Sequence, residues 1–385
     1  MWLLILGLFL FVLLVVVHEY GHFLVAKRNG VDVEEFGVGF PPKLFGKTIG
    51  KGIFRCYYTI NLLPLGGFVK LKGEHDADIT KGAYGAASLP AKYRIMLAGV
   101  AMNLIVALVM FTILAWIGMP QIVPNQYKIK SDSNITKEVV ISANVTPGSP
   151  AANVGIVPGS VINTINNQPI VTADQLRVAT SSNAGKTVPI SYSLKGKVTN
   201  TKVSLLTTQE VEASLETDSP KGYLGVVPTP YVVERATWSA PIQAVGLTIQ
   251  FTVLTLKGLA TIVANLAQAL GHAVVGDTKT AKQEASDASQ NVSGPVGIFV
   301  ILKQGTTLGI EFILFIIAII SLTLAIMNAL PIPALDGGRA FVTFIFHTLK
   351  KPLLPKTEEW IHGGGFVALM LLFVLITFVD IKRFF

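Results

Sequence analysis

Charge is what this chain has least of. Of its 385 residues only 14% are Asp, Glu, Lys or Arg, and 51% are hydrophobic. An average soluble domain carries about 25% charged residues, so the deficit excludes an ordinary water-soluble globule. Cysteine is nearly missing as well. With Cys56 alone there is no intrachain disulfide and no cysteine cluster for a metal, and Cys56 reads as a small buried residue. There is no long basic block either: the formal net charge of +8 is spread over loops. That excludes nucleic acid as a partner and fits loops beside an anionic membrane surface. Finally, the N-terminal apolar run has no basic residues ahead of it. It leads into His18-Glu19-Tyr20-Gly21-His22 rather than a small-residue cleavage site, which excludes a signal peptide.

What the chain does have is apolar runs of membrane length, about 20 residues each. Four read as spans: Trp2 to Ala26, Ile95 to Gly118, Ile310 to Leu330 and Gly363 to Val379, the third ending at Pro331 and Pro333. A fifth stretch, Ala240 to Val275, is apolar but carries Gln243, Gln250, Lys257, Asn265, Gln268 and His272. Its pattern predicts an amphipathic helix lying on the membrane. Lys27, Arg28, Lys92 and Arg94 place the loop between spans one and two in the cytoplasm, with the N-terminus outside. Lys382 and Arg383 in the C-terminal tail argue against this scheme.

The organisation that results is a polytopic α-helical membrane protein of about four transmembrane helices, with a membrane-associated β-hairpin and one inserted extracytoplasmic α+β domain. An N-terminal membrane domain (1–119) holds spans one and two and a cytoplasmic loop with the hairpin (53–72). A polar, glycine-rich module (137–228), an interfacial helical region (236–305) and a C-terminal membrane domain (306–385) follow. In the module, Val145 to Gly155 and Val157 to Asn167 resemble a PDZ domain, with a short helix from Pro150, a turn at Pro158-Gly159 and an alternating strand Val161 to Ile165. Thr172 to Ala179 fits its second helix, and Tyr223-Leu224-Gly225-Val226 resembles the loop whose backbone amides hold a peptide's carboxylate. The other reading is a β-rich plug that binds no peptide, because fold alone does not fix function.

His18 and His22 are four residues apart and share one face of a helix. Two imidazoles at this spacing can hold one zinc, with Glu19 between them available as general base. Alone, the pattern is short and recurs by chance. Its depth is what matters: ionised residues at a bilayer centre cost about 2.5–3.5 kcal/mol each on insertion scales. Snorkelling to the interface suits His22 alone and suits His18 and Glu19 poorly.

A catalytic zinc usually has three protein ligands. His75, His272, His347 and His362 sit in no comparable motif, and Asp336 is the better third candidate. It follows a helix broken by two prolines and precedes Gly337-Gly338. Broken backbone at membrane depth is tolerated where it lines a cavity; the alternative is a helix cap outside the membrane. His18 lies roughly 25 Å along span one, near the cytoplasmic side. Asp336 reaches it only if span three also runs inward, which requires Ala240 to Val275 to cross zero times or twice.

Phe54 to Asn61 and Phe68 to Lys72 alternate like strands around Pro64 and Gly66-Gly67. They read as a hairpin that either offers an edge to an extended substrate, near Gly67 and Phe68, or merely packs on the bundle. Asn103 either contacts substrate or bonds between helices where Gly99 permits close packing; packing is favoured.

His18-Glu-Tyr-Gly-His22, Asn328-x-x-Pro331 and Leu335-Asp336-Gly337 together resemble the site-2 protease family, in particular the bacterial regulator-of-sigma-E protease (RseP-like) group. Phe36 to Gly39, Pro64 to Lys70, Gly99 to Asn103 and Ser293 to Gly297 stand where that group has similar motifs. One PDZ-like module stands here where some members carry two.

The resemblance implies an intramembrane zinc metalloprotease of the bacterial plasma (inner) membrane. Its partners would be single-span membrane substrates, such as anti-sigma factors or signal-peptide remnants, and an upstream site-1-type protease. It implies one Zn2+ held by His18, His22 and Asp336, Glu19 as catalytic base, and Asn328 binding substrate backbone or the oxyanion. A proton-coupled transporter is the first alternative, but it leaves the histidine spacing unexplained and no inverted repeat accompanies it. A catalytically dead PDZ scaffold is the second, and Glu19 argues against it. The topology predicts that a cysteine placed at Thr217, in a chain without Cys56, reacts with a membrane-impermeant thiol reagent on intact cells. Labelling only after permeabilisation would reverse the scheme.

Overall fold

The structure is a computed structural model that describes residues 2–74, 78–194, 196–215, 220–290 and 294–384; His75, Thr217 and Ser293 lie outside them. The chain divides into two compact units. The first comprises Met1–Met110, Thr248–Ile301 and Ile316–Phe385; the second comprises Phe111–Leu247 and Leu302–Phe315.

The first unit opens with α1 (Trp2–Arg28). Leu, Val, Ile and Phe fill its first four turns with no proline and one glycine, so nothing interrupts the helix at membrane depth. Lys27 and Arg28 stand in the last turn, where they complement the helix dipole, and the Asn29 side chain donates to the Val25 carbonyl at 2.8 Å.

Next come β1 (Val33–Ile49) and β2 (Cys56–Leu71), which pair twice. Residues 33–38 lie opposite both 67–71 and 57–60, and residues 43–49 lie opposite 56–61. The sequence pattern anticipates the extended conformation of the two halves of β2 but not their pairing: they form no hairpin with each other, because β1 residues 33–38 stand between them. It misses β1, where Gly37, Gly39, Pro41 and Pro42 interrupt the alternation. The middle of this sheet is apolar and exposed, with Phe40, Leu44, Phe45, Ile60, Leu62 and Leu63 uncovered, a surface suited to lipid.

Beneath α1 the sheet closes a core of Phe23, Val31, Val33, Phe36, Cys56, Leu71, Tyr84, Ile95 and Met96. The Phe23 ring lies 5.8 Å from Phe36 and 6.2 Å from Tyr58. Truncating such a core phenylalanine costs about 3–5 kcal/mol, so α1 is held firmly against the strands.

The expected second span begins as two helices, α2 (Leu89–Met96) and α3 (Ala98–Ile117), separated at Leu97.

The second unit is built on a sheet with strand order β3-β9-β4-β5-β7-β8 and β6 on β5. In chain order its elements are β3 (Met119–Gln121), β4 (Asn134–Val145), α4 (Pro150–Asn153), β5 (Val161–Ile165), β6 (Gln168–Pro169), α5 (Ala173–Ser181), β7 (Thr187–Leu194), β8 (Lys197–Ser204), α6 (Thr208–Ser214) and β9 (Val226–Arg235). The turn after β5 places Asn166 and Asn167 at positive φ, which asparagine tolerates best after glycine. Ser149 caps α4, and Thr172 opens α5 with a full capping box. The strands reach beyond the 137–228 stretch that texture marks out, from Met119 to Arg235. Alternation fails at the ends because β3 is three residues long and β9 carries Pro228 and Pro230.

After β9 come α7 (Ala240–Val274), α8 (Thr278–Gln290), α9 (Pro295–Gly305), α10 (Ile310–Ala329), α11 (Asp336–Thr348) and α12 (Pro355–Phe384). Five helices of the described residues are long and apolar enough to cross a membrane: α1, α3, α7, α10 and α12. The sequence reading counts about four. The difference is α7, one unbroken helix of 35 residues. Its polar residues do not all mark a wet face: Gln243 is buried and bonds to the Ser239 hydroxyl at 3.1 Å, while Ile242, Val245, Ile249 and Val263 are exposed.

Asp132 fixes the start of α7. Its carboxylate accepts from the Thr237 hydroxyl at 2.6 Å and from the Thr237 and Ser239 amides at 2.9 Å each. These bonds, the Thr237 hydroxyl foremost, hold its pKa well below the usual carboxylate range. A depressed carboxylate stabilises the fold at pH values above its unfolded pKa of about 4, and that stability is lost as pH falls through the lower folded value. Asp132→Ala is therefore expected to lower the thermal midpoint at pH 7, and the difference from wild type should shrink on acidification below about pH 4. Equal midpoints at pH 7 would remove this cap from the account.

Candidate metal centre and active site

α1 brings His18 and His22 to one face in its last three turns, and α11 begins at Asp336. The chain entering α11 is held in an unusual conformation. Ala334 has φ +77°, and its amide donates to His362 Nδ1 at 3.4 Å. Such backbone costs on the order of 1–3 kcal/mol at a residue with a side chain and persists where the surroundings enforce it. Its effect is to aim Asp336 back at α1.

His18 Nε2 and His22 Nε2 each lie 3.2 Å from the same Asp336 oxygen, Oδ2, and 3.3 Å from each other. Ligands about 2.0–2.1 Å from a tetrahedral zinc are separated by about 3.3–3.4 Å. The three atoms thus form one face of such a tetrahedron. The donors fit as well as the distances. His22 Nδ1 lies 2.7 Å from the Ile95 carbonyl, which takes its proton and leaves Nε2 as a lone pair. Asp336 Oδ2 is buried without a hydrogen-bond donor. Three lone pairs aimed at one point are repulsive unless a cation sits among them, and these three are the one such group among the described residues.

Behind His18 stands Asn103, 1% exposed, with its amide nitrogen 3.2 Å from His18 Nδ1 and its Oδ1 buried without a partner. The two ends of an amide are interchangeable in outline. Turned over, Oδ1 accepts the Nδ1 proton of His18, freeing Nε2 for a metal, and the unpartnered oxygen is satisfied. The Asn103 carbonyl in turn accepts from the Ser321 hydroxyl at 2.8 Å, tying α3 to α10. Asn103 therefore faces His18 and bonds between helices, the packing option of the sequence analysis. Gly99, one turn earlier, lies against both imidazoles: a Cβ there would fall 2.5 Å from His18 Cε1 and closer still to His22 Nε2.

Glu19 faces the sheet. A Cβ on Gly67 would lie 3.3 Å from Glu19 Cγ and 3.0 Å from the Gly37 carbonyl, so only glycine lets the strand approach this closely. The Val69 amide is directed at the Glu19 carboxylate. Phe68 is half-buried and packs over Gly37. Asn328 is half-buried in the last turn of α10, eight residues before Asp336. A cavity of about 130 Å³ is lined by Glu19, His22, Val69, Glu74, Asp336 and Arg339, among others. Glu74 and Arg339 sit in no motif that marks them as site residues. A signal was there for Arg339, three residues after Asp336 and thus on the same side of the helix.

Tyr223, Leu224, Gly225 and Val226 lie far along the chain, in the second unit. Leu224 is buried in that unit's core and Gly225 has φ +77°. The Tyr223, Leu224 and Gly225 carbonyls accept from the Leu206, Ala151 and Thr146 amides.

Comparison with known proteins agrees with this chemistry. The sequence profile of Peptidase family M50 matches residues 6–372. The chain is similar to a Clostridium perfringens protein provisionally named a zinc metalloprotease, 32% identical over 381 residues and 98% of each chain. It is similar also to Zinc metalloprotease RasP of Shouchella clausii, 26% identical over 98% of each chain, and to Probable protease eep of Enterococcus faecalis, 25% identical over 97% of each.

The geometry makes two kinds of loss distinguishable. Gly99→Ala should abolish stoichiometric zinc in the purified protein, since the methyl group falls among the ligands. Asn103→Ala should weaken zinc affinity by about 10–100-fold, the usual cost of removing a residue that orients a ligand. Competition with a chelator of known affinity measures both; wild-type affinity in either variant contradicts the arrangement.

Proposed function

We propose a mechanism from one premise: this chain belongs to peptidase family M50. It is a multi-pass membrane protein and a zinc metalloprotease of the site-2 type, and it hydrolyses peptide bonds within or near the transmembrane segments of single-span proteins. The observation that carries this reading is the convergence of His18, His22 and Asp336 within 3.3 Å of one another beside Glu19, on a helix long and apolar enough to span a bilayer. A proton relay passes a proton from group to group and has no use for three lone pairs at one point.

His18, His22 and Asp336 would hold the zinc, which when bound would supply Lewis acidity to the attacking water and to the scissile carbonyl. Glu19 accepts the proton of the attacking water as the C–O bond forms, and returns it to the amide nitrogen as the C–N bond breaks. Asn103 keeps His18 in the tautomer that leaves Nε2 free. Asn328 is the side-chain donor for the developing oxyanion or for substrate backbone.

The substrate arrives as a helix whose amides are satisfied internally, and it must be held extended to be cut. Residues 67–71 of β2 offer an edge beside Glu19, with Gly67 giving clearance and Phe68 bearing on the substrate. Strand addition there replaces the hydrogen bonds the substrate helix gives up.

The same contacts support one sidedness. With the N-terminus outside, α1 and α10 both run inward, and α12 runs outward. The Gly297 amide at the start of α9 donates to Asp380 Oδ2 near the end of α12 at 2.8 Å, so α9 begins on the outer side. α7 also starts there. It therefore crosses zero times or twice, and a single helix satisfies this by lying along the outer surface, its exposed apolar residues in lipid. The second unit is then extracytoplasmic and the active site opens toward the cytoplasm.

The second unit is PDZ-like in this reading. The inward use of the Tyr223, Leu224 and Gly225 carbonyls supports a loop whose amide side receives a carboxylate, next to the edge of β9. Its ligand would be a tail exposed by an upstream cut.

Glu19→Gln preserves the shape of the site and removes its base. The variant is expected to bind one zinc and to lose turnover by several orders of magnitude on a single-span substrate that wild type cleaves. Turnover within about tenfold of wild type at full zinc occupancy would exclude Glu19 as the base.

A further inference from the structure

Arg339 stands where three elements of the catalytic unit meet. It follows Asp336 by three residues in the first turn of α11. Its Nη2 donates to the Glu74 carbonyl at 3.1 Å and lies 3.7 Å from Glu358 Oε1 of α12, whose side chain is 8% exposed. The guanidinium sits over the face of Tyr84, 5.6 Å from its centroid. Glu74 is itself bound to the strand, because its Oε1 accepts from the Leu71 amide at 3.0 Å. Leu71 is the last residue of β2. A continuous path of polar contacts therefore joins the metal ligand's helix to the end of the strand that passes Glu19, and joins both to α12.

We propose that Arg339 is a positioning residue that sets the distance and register of the 67–71 edge relative to Glu19 and Asp336, and so selects which peptide bond of the substrate is cut. This rests on the strand-addition reading above. The chemistry suits arginine in particular. Its guanidinium is planar, carries five donors and stays charged, so it can donate to a carbonyl, pair with a carboxylate and stack on an aromatic ring at once. Lysine has one charged nitrogen and cannot keep all three. Position matters here because a strand has no fixed length register of its own on an open edge: sliding by one residue moves a different bond to the metal and turns every side chain over. A misplacement of about 1 Å costs on the order of a hundredfold in rate. Val33 and Val38 of β1 hold the strand at Leu71 and Gly67 on its inner side. On the outer side, at the catalytic face, the Val69 amide meets Glu19 and Arg339 ties the strand's end to α11 through Glu74.

The test uses full-length protein in lipid nanodiscs and a synthetic peptide of about 30 residues with one apolar span. Wild type, Arg339→Met and Arg339→Lys are compared for zinc content, for products by mass spectrometry, for kcat/KM, and for amide hydrogen exchange at residues 69–74. The expected result is one zinc in all three proteins. In Arg339→Met, faster exchange at 69–74, cleavage spread over neighbouring peptide bonds and a fall in kcat/KM of about tenfold or more are expected; Arg339→Lys falls between. A single unchanged cleavage position with wild-type exchange at 69–74 overturns the proposal. A structural role alone would lower the thermal midpoint and leave the cleavage position where it was, which also overturns it. If Arg339→Met does not accumulate, Arg339→Lys decides by the same two readouts. Failure of wild type to cut any single-span peptide would instead strike the functional reading, so the two failures are distinguishable.

Discussion

Three lone pairs pointed at one place, between helices long and apolar enough to cross a membrane, form the constraint on which the rest depends. His18 Nε2, His22 Nε2 and Asp336 Oδ2 lie 3.2–3.3 Å apart. In a medium of low dielectric their repulsion is poorly screened, so a divalent cation must be present or the arrangement must relax. The neighbouring peculiarities become intelligible as conditions for holding it. Gly99 gives the imidazoles room. Ile95 and Asn103 take the two Nδ1 protons, which fixes both rings. The strained Ala334 backbone turns Asp336 inward. Ser321 locks the helix of Asn103 to the helix leading to Asp336. None of these residues is needed by a bundle whose only task is to cross a membrane.

The histidine pair and the glutamate were legible because a helix repeats in sequence what it repeats in space: residues four apart share a face, and the lipid context makes a polar face expensive. Asp336 was legible through topology, since a carboxylate after a proline-broken span can reach His18 only for one direction of α10. The second layer was not legible. Nothing in Gly99 to Asn103 says which of two packed helices a glycine relieves, or which ring an amide touches. These are facts about α1 against α3, separated by 70 to 85 residues of chain. β1 escaped for a local reason: Pro41, Pro42 and two glycines hide a strand whose pairing comes from its neighbours rather than its own alternation. α7 shows the opposite difficulty. Its polar residues suggested a wet face, yet Gln243 is buried, because a long helix can spend polar side chains on its own caps and contacts while presenting aliphatic ones outside.

The placement of β2 addresses a second constraint, which belongs to the substrate. A transmembrane helix keeps every amide satisfied, and an amide released in lipid without a partner costs several kcal/mol. Opening even a few residues is thus unfavourable unless replacement bonds are waiting. In the proposed reading the outer edge of residues 67–71, where the Val69 and Leu71 amides face Glu19 and Glu74, supplies them, and the usual liability of an edge, a tendency to recruit any extended chain, becomes its use. The edge lies beside Glu19, where Gly67 brings it close, and the middle of the sheet is apolar and exposed, as a segment in contact with lipid would be.

Rigid placement of that edge then matters more than its affinity. An edge that binds strongly but slides would present several bonds in turn to one catalytic carboxylate, and each would be slightly misplaced. The sheet's inner hydrogen bonds resist sliding only as far as their own register holds, and the ladder of residues 33–38 on 67–71 carries one irregularity, between Val33 and Glu35. A tie from outside the sheet is what a physical argument demands, and it has to come from the element that carries the metal ligand. Otherwise the strand would be fixed to something other than the chemistry. Arg339, one turn beyond Asp336 and bonded to Glu74, three residues past the end of the strand, meets that requirement. In the proposed reading it couples the helix of Asp336 to the edge that would hold substrate.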